Sequence, residues 1–220
     1  MLRNRLNVLL AEHELTIKDV HEDTGLSRTT ISNMINKPGG TVNMDTLDVL
    51  CRYLGISPGD FFLYSPYNVT VFPDEGLPSA LHVGVQRDRK EYAYEYGIEL
   101  SMNPWDLMSP GADSRISDTY DVYMRLHIGV GGDGLSDLLP KLPVAFQNQI
   151  TAEIIRALER FLSATDPASL TGDSDFDNGR TAAALETIRR LKMPDISISL
   201  PWVDTARRFD VQQGIFVSTD

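Results

Sequence analysis

The stretch LTIKDVHEDTGLSRTTISNMINKP, residues 15–38, decides how the N-terminal part of the chain folds. Thr16, with an acidic residue three positions later, is typical of a helix N-cap. That helix should end at Gly25, because glycine readily adopts the left-handed conformation of a tight helix stop. Ser27 then caps a further helix, predicted over residues 28–36, which the Lys-Pro-Gly-Gly run behind it brings to an end.

The predicted helix 28–36 has two different faces. Its apolar side consists of Ile31, Met34 and Ile35. Its other side, which has no acid and no large apolar group, consists of Arg28, Thr29, Ser32, Asn33 and Asn36. Donors and acceptors of this reach suit the edges of bases in the major groove of DNA.

Three further helices are predicted around these two. Residues 2–13 carry one leucine stripe at helical spacing: Leu2, Leu6, Leu9 and Leu10. A helix over about residues 44–54 should bury Leu47, Leu50, Cys51 and Leu54. Residues 56–62 resemble a short last helix, so the first 65 residues predict a small helical bundle.

Residues 15–38, followed by LDVLCRYLGISPGDFF at residues 47–62, resemble the Cro/CI-type (XRE) helix-turn-helix domain. The resemblance covers about residues 2–65 and departs from the family pattern at Lys18-Asp19 and Val20. It implies that helix 28–36 lies in the major groove of double-stranded DNA. A bundle of this shape that binds protein instead is the alternative.

The resemblance implies DNA contacts for eight side chains. Arg28 can donate two hydrogen bonds to guanine, and Asn33 can pair with adenine. The side chains expected to reach bases or phosphates are Thr29, Thr30 and Ser32. Those expected to contact backbone phosphates are Thr16, Lys18 and Lys37.

The charge of the chain predicts weak binding to random DNA. The net charge is −11, but residues 1–65 hold six Lys/Arg against eight Asp/Glu, and the remainder holds fourteen against 23. A near-neutral DNA-binding domain must rely on a few well-placed contacts, because the non-specific share of affinity comes from basic residues on phosphates.

The sequence also indicates where the protein works. The lone cysteine, Cys51, cannot form an internal disulfide, which favours a reducing cytoplasm, and its place on a buried stripe indicates a core residue. There is no apolar run long enough to span a membrane and no pattern typical of a secretory signal. We therefore expect a cytoplasmic protein with no membrane partner.

The hydrophobic period changes from helical to alternating around residues 64–67, where we place the domain boundary. The predicted fold is multidomain: an all-α helix-turn-helix domain, residues 1–66, and an α+β dimerisation and effector domain with an antiparallel sheet, residues 67–220. The strands are expected as a hairpin over 81–102 and as single strands near 120–130, 196–200 and 209–217, and the helices over 146–163 and 180–192.

Three features of the second domain resemble chemical sites, and each has a plainer explanation. Ser101 with Lys141 resembles a self-cleaving Ser-Lys pair, but no Ala-Gly cleavage pair lies upstream, and Ser101 reads better as a strand end. The aspartates at 173, 175 and 177 have calcium-loop spacing without the required glycine and glutamate. The glycine-rich residues 129–134 lack the ending of a phosphate loop. We expect no metal, no cofactor and no enzymatic activity.

The sequence therefore predicts a transcription regulator, acting as a repressor and as a homodimer on a palindromic operator. Pairing two modules across a palindrome supplies contacts that one small module lacks. A small molecule or a protein is the expected inducer. Two alternatives stay open: a self-cleaving or ligand-processing enzyme domain fused to a DNA-binding module, and an antitoxin-like protein-interaction module.

Overall fold

The computed structural model describes residues 1–74, 76–107, 120–129, 132–170, 178–202, 207–212 and 215–218. The chain forms two compact units, Met1–Asn68 and Val69–Asp220. In these described ranges, no helix is long and apolar enough to cross a membrane.

The first unit is a helical bundle closed by a small two-stranded sheet. Its elements are β1 (Leu2–Asn4), α1 (Leu6–Glu12), α2 (Ile17–Thr24), α3 (Arg28–Asn36), α4 (Met44–Leu54), α5 (Pro58–Phe61) and β2 (Phe62–Tyr64). Each of the four longer helices turns its apolar residues inward, and the fully buried core side chains are Leu6, Val20, Ile31, Leu50 and Phe61. Burial of this stripe stabilises the bundle more than helix propensity does.

The predicted helix over residues 2–13 is wrong in its first turn. Residues Leu2–Asn4 form β1, which pairs antiparallel with β2, and α1 begins only at Leu6. Leu2, assigned to the buried stripe, is 56% exposed. The partner strand lies about sixty residues away in sequence, so a tertiary contact overrides the local helical period.

The second unit combines a seven-stranded sheet with helices, counted over the described residues. The sheet order follows the chain: β3 (Tyr67–Pro73), β4 (Ala80–Arg87), β5 (Lys90–Ser101), β6 (Val122–Ile128), β7 (Asp195–Ser199), β8 (Arg207–Gln212) and β9 (Ile215–Ser218). Between β6 and β7 come α6 (Gly134–Leu138), α7 (Val144–Ala164) and α8 (Asn178–Arg190). The α+β architecture predicted from the sequence is confirmed.

The sheet is mixed, whereas the sequence predicted an antiparallel one. Strands β6 and β7 pair parallel, with Val122 opposite Ile196. A parallel pair requires a long crossover connection, and here that connection carries three helices. The single strand predicted near 209–217 is also two strands, since Phe209 on β8 pairs antiparallel with Ser218 on β9.

Candidate nucleic-acid interface

Helix α3 starts and ends where the local sequence directs. Gly25 has φ 74°, the left-handed conformation that ends α2, and its N–H donates to the His21 carbonyl at 3.0 Å. Ser27 caps α3 by accepting a hydrogen bond from the Thr30 N–H at 3.0 Å. Because Ile31 and Met34 are buried, the helix is fixed in rotation and its opposite side faces outward.

Three side chains on the outward side of α3 keep their polar groups free. Arg28, Thr29 and Asn33 are exposed, and their side chains have no hydrogen-bond or ion-pair partner among the described residues. Neither α3 nor the loop that follows it to Asn43 contains an acid. A guanidinium and a carboxamide presented in this way can each make paired hydrogen bonds to a base edge.

Two of the three α3 hydroxyls that sequence analysis assigned to DNA, those of Thr30 and Ser32, already have partners. The Thr30 hydroxyl lies 2.8 Å from that of Ser27, next to the cap. The Ser32 hydroxyl accepts a hydrogen bond from Asn36 Nδ2 at 3.2 Å. Both residues are half-buried. They help to hold the helix start and order its surface, and any contact with DNA has to be shared with these bonds.

The start of α2 is a reciprocal capping box between Thr16 and Asp19. The Thr16 hydroxyl donates to Asp19 Oδ2 at 2.6 Å and accepts from the Asp19 N–H at 3.3 Å. The bonds from the Thr16 hydroxyl and backbone N–H hold the pKa of the Asp19 carboxyl below its usual value. Thr16 can therefore donate to a phosphate only by releasing Asp19.

The two predicted phosphate-binding lysines differ in their surroundings. Lys18 is exposed on α2, with Nζ 3.8 Å from Glu22 Oε1 in an i,i+4 pair. A solvated pair of this kind is weak and readily exchanged. Lys37 is exposed at the C-cap of α3, and its ammonium has no partner in the described chain. Lys37 is thus the freer of the two cations.

A groove of about 300 Å³ runs beside α3, and it brings Asn33 and Lys37 together. Its walls come from α3, from the loop behind it and from the start of α4. The polar residues along it are Asn4, Thr30, Asn33, Lys37, Thr41, Asn43 and Thr46. Its lining residues include one cation, Lys37, and no acid, so a phosphate can be accommodated beside Lys37 and next to the base-reading Asn33.

Asn4 is a positioning residue that sequence analysis missed. It is 6% exposed, and its Nδ2 donates to the carbonyls of Met34 and Pro38 at 3.0 and 3.1 Å. Its Oδ1 accepts from the Leu6 N–H at 3.1 Å. One buried carboxamide thus fixes the end of α3 and the loop that carries Lys37. The only signal in the sequence is a polar residue inside a leucine-rich segment.

The features of the second unit that resembled chemical sites form no such arrangement among the described residues. Ser101 is buried, and its hydroxyl donates to Asp106 Oδ2 at 2.7 Å. Residues 173, 175 and 177, with their calcium-loop spacing, lie outside the described residues, as do Val130 and Gly131 of the glycine-rich segment.

In the first unit, Cys51 is buried, and burial raises the pKa of its thiol, as expected for a small core residue.

Comparison with known proteins agrees with this geometry. The family model for the Cro/C1-type HTH DNA-binding domain matches residues 5–66. No curated protein and no solved structure matches the chain. The match includes the capped α2, the turn at Gly25 and α3 with its free outward side. Residues 5–66 are therefore a Cro/C1-type helix-turn-helix DNA-binding domain, and the protein is a DNA-binding transcription regulator.

Proposed function

We propose that the protein is a repressor that binds a palindromic operator as a homodimer through α3. The observation that supports this most directly is the outward side of α3, where Arg28 and Asn33 are exposed and have no side-chain partner within the described part of the chain. A repressor needs only to occupy its site and exclude other proteins from the same duplex. It acts in the compartment that holds the DNA, which we take to be the cytoplasm.

The argument for a dimer is that one helix-turn-helix module makes few contacts with DNA. A single α3 carries few base-reading side chains, and residues 1–65 have no excess of cations. Two copies placed about 10 base pairs apart across a palindrome double the specific contacts. We assign dimerisation to the second unit.

An apolar patch on the second unit supports that assignment. It consists of Met102, Trp105, Leu191 and Met193, all of them exposed. The Thr187 hydroxyl donates to the sulfur of Met102 at 3.3 Å, and the Thr187 carbonyl accepts the Leu191 N–H at 3.1 Å. These bonds bring Met102 and Leu191 together near the end of α8, and Trp105 and Met193 lie within three residues of them in the sequence. Large exposed apolar side chains of this kind are typical of a protein–protein interface.

Replacing Trp105 with glutamate is expected to convert the dimer into a monomer. The side chain is 57% exposed, so the isolated unit loses little packing, whereas a dimer would have to bury a carboxylate against apolar groups. Sedimentation at micromolar concentration measures the change. The control is Val144→Glu, an exposed apolar residue at the start of α7. A Trp105→Glu protein that remains dimeric would rule out this patch.

The second unit is also proposed to bind an inducer rather than to catalyse a reaction. A cavity of about 490 Å³ lies between α7 and the beginning of the sheet, with Leu81, Ile98 and Phe161 in its wall and Arg160 beside them. That volume suits a small molecule. Incubation of the purified protein should therefore yield no cleaved product, whereas a self-cleaving domain would release one.

Selection of bound sites from random duplex DNA, read with the mass of the protein in solution, tests the proposal. We expect a two-fold symmetric motif and a dimer. An asymmetric motif bound by a monomer would contradict the homodimer, and the absence of any enriched duplex would contradict sequence-specific DNA binding.

A further inference from the structure

The hairpin of β4 and β5 ends in an exposed segment, residues 86–93, which we call the arm. The two strands pair without interruption from Ala80 opposite Gly97 to Arg87 opposite Lys90, so that Asp88 and Arg89 form a two-residue loop. Asp88 has φ 55°, the left-handed conformation that such tight turns use. Every residue from 86 to 93 is exposed, in contrast to the mostly buried first part of β4 and last part of β5.

The tip of this arm carries a local positive charge within an acidic unit. Residues 66–220 hold fourteen Lys/Arg against 23 Asp/Glu, yet Arg87, Arg89 and Lys90 fall within four residues. Arg89 and Lys90 have no partner among the residues that the structure describes. The Nε of Arg87 lies 4.0 Å from the exposed Asp88 carboxylate, a weak and solvated ion pair.

The cations are also segregated by face. Arg87 and Lys90 lie directly opposite each other and point to the same side of the hairpin as Tyr92, while Gln86 and Glu91 form the next pair and point to the other side. Like charges in a cross-strand pair destabilise a hairpin. A sequence that keeps such a pair at an exposed tip breaks a local rule, which is typical of a surface that meets a counter-charge.

We propose that this arm binds the phosphate backbone of duplex DNA. Arg89 and Lys90 would donate to phosphate oxygens together with Arg87, and Tyr92, 47% exposed on the same side, would pack against the sugar edge. The inference rests on the proposed function, because the helix-turn-helix domain supplies the DNA. Contacts of this kind would add affinity that does not depend on the base sequence.

The test compares a charge-reversed arm with a matched control. Arg89→Glu/Lys90→Glu changes the charge by −4, and Lys141→Glu/Arg156→Glu makes the same change at two exposed cations of the second unit that lie outside the apolar patch and have no partner among the described residues. The probe is the duplex recovered by selection from random DNA, prepared both at its minimal length and with ten extra base pairs on each side. Binding of the dimeric full-length protein is measured as a function of salt concentration.

We expect wild type to bind the longer duplex with a steeper salt dependence than the minimal one. Each lost phosphate contact reduces the slope of log K against log salt by about 0.9, so the arm variant should lose about 1.8 per protomer on the longer duplex. The control should keep its slope. Equal slopes for the arm variant and the control would overturn the inference. Failure of wild type to select any duplex would instead overturn the proposed function.

Discussion

Replacing Arg28 and Asn33 together with alanine is expected to lower affinity for the selected operator by at least about 30-fold per half-site. Both side chains are exposed on α3 and have no partner among the residues that the structure describes, so their removal should lower DNA recognition without affecting folding. A bidentate contact between a side chain and a base is worth about 1–3 kcal/mol, and two such losses add when the contacts are independent. Competition between operator and unrelated duplex measures the change.

The matched control removes one arginine and one asparagine from another surface of the same unit. Asn7 on α1 and Arg52 on α4 are both exposed, and Arg52 forms an ion pair with Asp48 one turn away. Asn7→Ala/Arg52→Ala changes the charge equally and should bind the operator as wild type does. If the two double variants lose affinity equally, α3 does not read the bases, and general charge accounts for binding.

The α3 variant should also lose discrimination between sequences. Arg28 and Asn33 are assigned to base edges, whereas the predicted phosphate contacts fall on other side chains. Affinity for unrelated duplex should therefore fall far less than affinity for the operator. A uniform loss on every duplex would identify the two residues as backbone contacts.

Sequence analysis located α3 correctly because its limits are set by neighbouring residues. Ser27 caps the first turn, Ile31 and Met34 fix the buried side, and the structure has the helix at Arg28–Asn36 as predicted. The two features that sequence analysis missed, the strand at Leu2 and the parallel pairing of β6 with β7, are not set by neighbouring residues. Both depend on partners more than fifty residues away, which a local pattern does not contain.

The outward surface was predictable in its composition but not in its hydrogen bonding. The alternation of apolar and polar residues at helical spacing was enough to place Arg28, Thr29 and Asn33 outside. It did not reveal that the Thr16 hydroxyl donates to Asp19 or that Thr30 bonds to Ser27, since each depends on side-chain rotamers. The DNA contacts of all eight side chains remain predictions.

Ending the chain after Asn68 is expected to leave a folded domain that binds the operator about 10²–10⁴-fold more weakly. The first unit has its own core, and truncation at this point keeps the pairing of β1 with β2 and the hydrogen bond from Ser65 N–H to the Met1 carbonyl. What is lost is the linkage of two modules, which makes binding of the second half-site intramolecular. Calorimetry or circular dichroism reports folding, and titration of the operator reports affinity.

The decisive control fuses residues 1–68 to an unrelated dimerising coiled coil through a flexible linker. If the second unit contributes mainly by pairing two modules, the fusion should recover most of the lost affinity for the palindrome and little for a single half-site. Because the fusion lacks the β4–β5 arm, its salt dependence should remain shallower than that of the full chain. Full affinity in the unfused fragment would show that one module suffices, and the argument for a dimer would then fail with it.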